Sequence, residues 1–292
     1  MIQIALETTG KSGSLAVLRG EEVCWVRALS TGQRTAATLS VQLKAALGFC
    51  DQLGQRPDWV SVADGPGSFT GLRIAVTTAK TLGYALGVPV VPVGSLCSIA
   101  AAQCFDPDAA DQPSRVLVGL NAYRGQVYAA AFDVQELFQD PLPIDVARRA
   151  EVVDHDRWDQ WVACDFDTAD GGLLGDRQIV PPQWEQRYRE SVQPAAVGVG
   201  QIASRLVRAA EASNTGEASD PAEAKSTADA GNAAEVRNAA EAGNTEQQRA
   251  ADPRIDPFDL VVRYLKSSAA EEKAARRRSI PGADAPHRSR SK

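Results

Sequence analysis

Val60-Ser61-Val62-Ala63-Asp64-Gly65-Pro66-Gly67-Ser68-Phe69-Thr70-Gly71-Leu72-Arg73-Ile74-Ala75 decides the architecture of this chain. Val60 to Asp64 is a mostly apolar run of strand length, Gly65 to Gly71 carries three glycines and a proline, and Leu72 opens a helical pattern. A strand that turns through glycines into a helix aims several free backbone N–H groups at one point, an arrangement that receives anions. Spacing excludes two familiar versions. A phosphate loop of the G-x-x-x-x-G-K-[ST] type has four residues between its glycines and a lysine after them, whereas five separate Gly65 from Gly71 here and Leu72-Arg73 follows. The dinucleotide fingerprint G-x-G-x-x-G is overshot by one residue in Gly65-x-Gly67-x-x-x-Gly71. What remains is a stiff turn. Pro66 fixes φ and lacks an N–H, Gly65 and Gly67 allow backbone angles closed to other residues, and Ser68 or Thr70 is placed to cap a helix beginning near Gly71. Arg73 lies in the first helical turn, where a cation opposes the helix dipole; this fits either an anionic partner or a structural turn with an exposed arginine.

Working outward, residues 2–7 and 13–19 are apolar or alternating around a turn-rich Thr8–Ser12, which predicts a hairpin, and Val23–Leu29 supplies a third strand. From Thr35 the period becomes helical: Leu39, Leu43, Ala46, Leu47 and Cys50 share one face of a helix ending near Gly54. Strand Trp59–Ala63, the glycine loop, helix Leu72–Leu86 and strand Val88–Val93 form a βαβ unit, so the first 105 residues predict an α/β lobe with a mixed sheet. A second α/β lobe over 114–212 is indicated by strands Arg115–Leu120 and Gln126–Phe132, a helix over Glu151–Trp161 and another over Ala195–Ala210. Between Arg208 and Arg254 the one bulky hydrophobic residue is Val236, too little apolar surface to offset the ordering cost of ~1–2 kcal/mol per residue, so 213–253 is expected to be a disordered low-complexity insertion. An apolar pattern returns over 254–267, which should dock on the globular part. Residues 268–292 read as a basic flexible tail, with seven Lys or Arg from Lys273 onward against Asp284, either solvated or a salt-sensitive handle for nucleic-acid phosphates.

With 292 residues, 44% of them hydrophobic, the chain is large enough for two cores, and its net charge of −6 confines any nucleic-acid contact to a local patch. Five cysteines without a C-x-x-C pair suggest neither a disulfide framework nor a cysteine metal cage, and fit a cytoplasmic location. The N-terminus has no basic leader and no run reaches ~18 apolar residues, so no membrane association is expected. The two histidines, His155 and His287, cannot assemble H-E-x-x-H, and no nucleophile elbow accompanies His155, which reads as an exposed helix residue.

Gly65-Pro66-Gly67-Ser68-Phe69-Thr70-Gly71-Leu72-Arg73-Ile74, continued by Thr78-Ala79-Lys80-Thr81-Leu82-Gly83, closely resembles the TsaB (YeaZ) family, the accessory subunit of bacterial tRNA threonylcarbamoyladenosine synthesis. Ile4-Ala5-Leu6-Glu7-Thr8-Thr9, Pro89–Leu96, Asn121–Tyr128 and Tyr264-Leu265-Lys266 match further family segments in order, so the resemblance spans residues 1–212 and 254–267. It implies a two-lobed actin-like ATPase (ASKHA) fold with mixed sheets. It also implies a non-catalytic subunit that pairs with a TsaD-type catalytic subunit, has a TsaE-type ATPase as a further associate, contacts tRNA through the complex, and can alternatively form a homodimer. The reaction implied is threonylcarbamoyl transfer to the adenosine beside the anticodon of tRNAs reading codons that begin with A. In the family the two helices after the hairpin meet the equivalent pair of the partner. That role falls here on Leu39, Leu43 and Leu47 of the first helix and on the small stripe Ala75, Ala79 and Gly83 of the second, unless that stripe packs inside its own lobe. Arg34-Thr35-Ala36-Ala37 replaces a frequent His-Ser of the family.

In the wider superfamily an acid at the end of the first strand holds a metal. Glu7-Thr8-Thr9 stands where the TsaB family more often has Asp-Thr-Ser, and the extra methylene weakens an inherited magnesium site, leaving at most a vestigial nucleotide site. No catalytic residue, metal or cofactor is expected on this chain alone, with ATP and magnesium entering at the level of the complex. The competing reading is an ASKHA-type ATPase or small-molecule kinase using Glu7 and the glycine loop.

Overall fold

A computed structural model describes residues 1–10, 13–29, 35–104, 113–166, 171–190, 194–215 and 252–265. Strands β1 (Ile2–Glu7), β2 (Ser14–Arg19) and β3 (Glu22–Ala28) form an antiparallel meander. Helix α1 (Thr35–Gln52), strand β4 (Trp59–Gly65), helix α2 (Phe69–Leu86) and strand β5 (Val90–Gly94) follow, and β4 joins β1 and β5 in parallel. The first sheet therefore has the order β3-β2-β1-β4-β5. Helix α3 (Ser95–Gln103) leads to the second lobe: strands β6 (Arg115–Tyr123) and β7 (Gln126–Asp133), short helices α4 (Val134–Leu137) and α5 (Ile144–Ala147), strand β8 (Glu151–Asp154), helix α6 (His155–Phe166) and strand β9 (Gly171–Gly175). Its sheet runs β8-β7-β6-β9, antiparallel except for the β6–β9 pair. Helix α7 (Ala195–Thr215) returns to pack between the lobes.

Alternation along the strands explains the layering. One face of the first sheet, with Ile4, Leu6, Val17, Val60 and Val62, packs against α1 and α2 through Leu39, Ala46, Ala75, Val76, Ala79 and Leu82. Its other face, with Ala5, Ala16, Leu18, Val91 and Val93, meets α3 and α7, whose far side meets Val116, Val118, Phe132 and Leu174 of the second sheet. The outer face of that sheet carries Leu117, Val127, Ala129 and Leu173 against Trp158 and Val162 of α6. The strands of β1 and β4 are buried along their whole length because helices cover both faces. Helix α3 touches α7 at van der Waals limits: a Cβ at Gly198 would stand 1.9 Å from the Ser98 carbonyl oxygen. The buried Gln3 has all its hydrogen-bonding capacity used: Nε2 donates to Gly200 O at 2.8 Å and Ser204 Oγ at 2.7 Å, and Oε1 accepts from Trp59 Nε1 at 2.9 Å and Ser61 Oγ at 2.7 Å.

Several boundaries differ from expectation. Helix α2 begins at Phe69, because Ser68 is the residue that caps it, its Oγ accepting from Gly71 N at 3.3 Å. The helix expected over 151–161 is strand β8 followed by α6, since Glu151–Asp154 continues the sheet beside β7. Helix α3 shows no amphipathic period because it is buried nearly all round. The segment 252–265 lies along α2 as an irregular strap: Val90 and Ile255 exchange two backbone hydrogen bonds of 2.9 Å, Lys80 Nζ donates to the carbonyls of Phe258 and Leu260, and Leu260 is buried in the α1–α2 core. Of the expected insertion, 213–215 are the end of α7, and 216–251 lie outside the described residues, as do Arg34, Lys266 and the basic tail. All five cysteines are free thiols.

Candidate functional site

The β1–β2 turn and the glycine loop sit against each other. Ser68 N donates to Thr9 O at 3.0 Å and Thr8 Oγ1 to Gly71 O at 2.7 Å. A Cβ at Gly71 would stand 1.9 Å from Thr8 O, and one at Gly67 would stand 2.7 Å from Thr9 Cβ. The glycines are there so that two backbones can approach, and Gly65 (φ 128°) does the same for the strap, whose Arg263 carbonyl would lie 2.5 Å from an added Cβ. Three amides of the loop and first turn are used inside the protein: Ser68 N on Thr9 O, Gly71 N on Ser68 Oγ and Leu72 N on Ser68 O. Phe69 and Thr70 are exposed at the start of α2. Pro66 is buried beneath the loop.

Glu7 is 3% exposed, and its Oε1 accepts from Thr9 N, Thr9 Oγ1 and Gly10 N. Burial pushes its carboxyl above the usual range while these bonds pull it back. The carboxylate is turned into its own hairpin, and no three His, Cys, Asp or Glu gather among the described residues to hold a metal. This donor set does not fit a magnesium nucleotide. Beside it, an inter-lobe cleft of about 210 Å³ lies between Thr9, Gly10, Gly67 and Ser68 on one side and Asn121, Tyr123, Asp176 and Gln178 on the other. That is below the roughly 300–1,000 Å³ of an ordinary ligand pocket. His155 is exposed at the first position of α6.

The helix residues expected to meet a partner separate into two groups. Ala75, Ala79 and Gly83 face inward, as the alternative reading had it: a Cβ at Gly83 would meet Pro257 Cγ and Val90 Cγ2 at 2.9 Å. On α1, Leu39 is buried, and Leu43 and Leu47 are half-buried against the same core. Leu39, Ala75, Ala79 and Gly83 are taken up by the lobe's own packing, and Leu43 and Leu47 in part, because the apolar face of an amphipathic helix is used first by its own sheet. The outer face of α2 carries an apolar strip that helix periodicity alone did not reveal, since the strap completes it. Phe69 is 42% and Tyr84 68% exposed, beside Phe258 at 69%, Val261 at 76% and Tyr264 at 45%. Phe69 packs on Tyr264 with ring centroids 5.2 Å apart, and Tyr84 on Phe258 at 5.3 Å. Arg73 lies 3.9 Å over the Phe69 ring and donates from Nε to Tyr264 Oη at 3.1 Å, so it braces the strip instead of standing free for an anion.

Two mixed sheets separated by a shared helical layer, with the order β3-β2-β1-β4-β5 in the first, make this a two-lobed protein of the actin-like ATPase fold. The solved structure of YeaZ from Pseudomonas aeruginosa is similar to it, with a TM-score of 0.53 at 22% identity over 71% of this chain and 92% of that one. The family model described as TsaD, tRNA N6-adenosine threonylcarbamoyltransferase, matches residues 27–155. The TsaB protein of Bacillus subtilis is 33% identical over 147 residues, 49% of this chain and 60% of the relative, and that of Haemophilus influenzae is 27% identical over 129 residues, 43% and 51% respectively. The chain is thus similar in sequence to TsaB proteins over about half its length, and in fold to YeaZ. It spans about half to three-fifths of the length of these curated relatives.

Proposed function

We propose that the chain is a TsaB-type subunit of tRNA threonylcarbamoyladenosine synthesis, which supports a TsaD-type transferase without carrying the reaction centre itself. The B. subtilis and H. influenzae relatives are named as proteins of that biosynthesis. The observation that carries the reading is the apolar strip of Phe69, Tyr84, Phe258, Val261 and Tyr264. Exposed aromatic rings paired between the two ends of α2 and the strap are costly to leave in water and typical of a protein interface. The TsaD family model matches the part of the chain that contains α1 and α2, so a TsaD-type partner would offer like helices, and the same strip would serve a homodimer when the partner is absent. The transferase would act in the cytoplasm on the adenosine beside the anticodon of tRNAs reading codons that begin with A. A TsaE-type ATPase would join, tRNA would be held by the complex, and ATP and magnesium would be used there.

Purified chain, its own organism's TsaD-type protein and unmodified tRNA test this. Modification in the complete reaction should fall to background when the chain is omitted, and the chain alone should neither modify tRNA nor turn over ATP. Modification that is indifferent to the chain contradicts the proposal. The ATPase or kinase reading would instead give calorimetric binding of magnesium ATP that Glu7→Ala abolishes.

A further inference from the structure

Under the glycine loop, Asp64, Arg148 and Arg263 come together from three separate segments, and the buried Ser95 follows Gly94, whose backbone packs on Arg148. Asp64 is the penultimate residue of β4, Ser95 opens α3, Arg148 follows α5, and Arg263 belongs to the strap. Arg148 Nη2 stands 3.4 Å from Asp64 Oδ2, Arg263 N donates to Asp64 O at 2.9 Å, and Gly94 packs so tightly on Ala147 and Arg148 that a Cβ there would lie 3.3 Å from Arg148 Cα. Asp64 is 2% and Ser95 0% exposed. Four buried polar atoms, Asp64 Oδ1, Ser95 Oγ, Arg148 Nε and Arg263 Nη1, have no hydrogen-bond partner among the described residues. Such groups are rarely left unpaired in a folded chain.

The donors outnumber the acceptors, and the charges do not balance: two guanidiniums face one carboxylate. Ser95 is also the first residue of a nine-residue helix whose cap residue, Gly94, makes no side-chain hydrogen bond, so the positive end of that helix adds to the excess. Burial, with Arg148 close by, lowers the Arg263 guanidinium against the pull of Asp64, as expected of two like charges held together without enough anion between them. The Arg148 side chain is 37% exposed and gives the junction a route to solvent.

We infer that Ser95, Arg148 and Arg263, beside Asp64, bind a small oxyanion, which fastens the strap to both lobes. The oxyanion accepts from the Ser95 hydroxyl and the two guanidiniums. A neutral Asp64 carboxyl donates to it, and an ionised one repels it. Asp64 faces Arg148 and Arg263, and burial raises its carboxyl to about 6 despite them. Affinity should therefore rise as pH falls, by roughly twentyfold between pH 7.5 and 5.5.

The test is calorimetric titration of the full chain with sulfate, which does not itself titrate in this range, and in parallel with acetate. Saturable one-site binding should appear, tighter at the lower pH, and weaken at least about tenfold in Ser95→Ala and Arg148→Met. Asp64→Asn should bind at pH 7.5 about as tightly as the parent at pH 5.5, without pH dependence. A preference for sulfate assigns the site to inorganic or ester oxyanions, and a preference for acetate to a carboxylate. Thermal melts without added anion verify that the variants fold; should Arg148→Met fail, Arg263→Met in the strap gives the same readout. No saturable binding of either anion, or binding indifferent to these substitutions, overturns the inference.

Discussion

Asp64 stands next to the end of the mostly apolar strand β4 and is kept out of water. Its carboxyl is raised to about 6, with burial outweighing the attraction of Arg148 and Arg263. An acid whose folded value lies above its unfolded one favours the folded state only at low pH. The unfolded chain gains by ionising as pH rises past the ordinary value near 3.8, and the loss is complete once pH passes about 6. Relative to Asp64→Asn, the parent chain should therefore lose about 2 kcal/mol of stability between pH 4.5 and 7.5. Urea denaturation of both proteins at the two pH values, without sulfate or phosphate, checks this, and parallel pH profiles would refute it. Glu7 differs. Burial raises it as well, but Thr9 and Gly10 surround its carboxylate with donors, so it is a satisfied hairpin residue where Asp64 is an unsatisfied one.

Among the elements, α2 has two opposed faces with different roles. Its small residues let β4, β5 and the strap come close, and its outward Phe69, Arg73 and Tyr84 carry the strap's aromatic side chains. Ala79→Glu would bury an unpaired carboxylate at a fully enclosed position and should destabilise the lobe by more than about 3 kcal/mol. Tyr84→Asp, at a residue 68% exposed, should cost about 1 kcal/mol or less. Chemical denaturation separates the two, and equal losses would show that the faces are misassigned. Much of this was legible in the sequence. The strand, glycine loop and helix follow from residues 60–86, because apolar runs, glycines and a serine cap act locally. The direction of the Ala75, Ala79, Gly83 stripe did not follow, since small residues permit close approach to a partner and to one's own sheet alike. Helix α3 was hidden because burial on all sides erases its period. The Asp64, Arg148 and Arg263 junction was hidden because its members are up to 199 positions apart and meet only in the tertiary fold.

The described residues form a five-layer stack of helices, sheet, helices, sheet and helix, in which α3 and α7 are shared by both lobes. Relative movement of the lobes would shear that middle layer, where Gly198 and Gly200 leave no spare room. Arg205 reinforces it: its guanidinium pairs with Glu21 at 2.6 Å, donates to Leu137 O and stacks 4.5 Å over Phe138. In the proposed function such a body would serve as a rigid platform, and the strap would add the exposed surface that the platform presents. The decisive measurement is the affinity of this chain for its own organism's TsaD-type protein, by calorimetry, for the parent, Tyr84→Asp and Phe258→Asp. A one-to-one complex in the parent, weakened about tenfold or more in each variant while their unfolding curves stay within about 1 kcal/mol of the parent, is the result predicted. No complex, or a complex that both variants form as tightly as the parent, would contradict it.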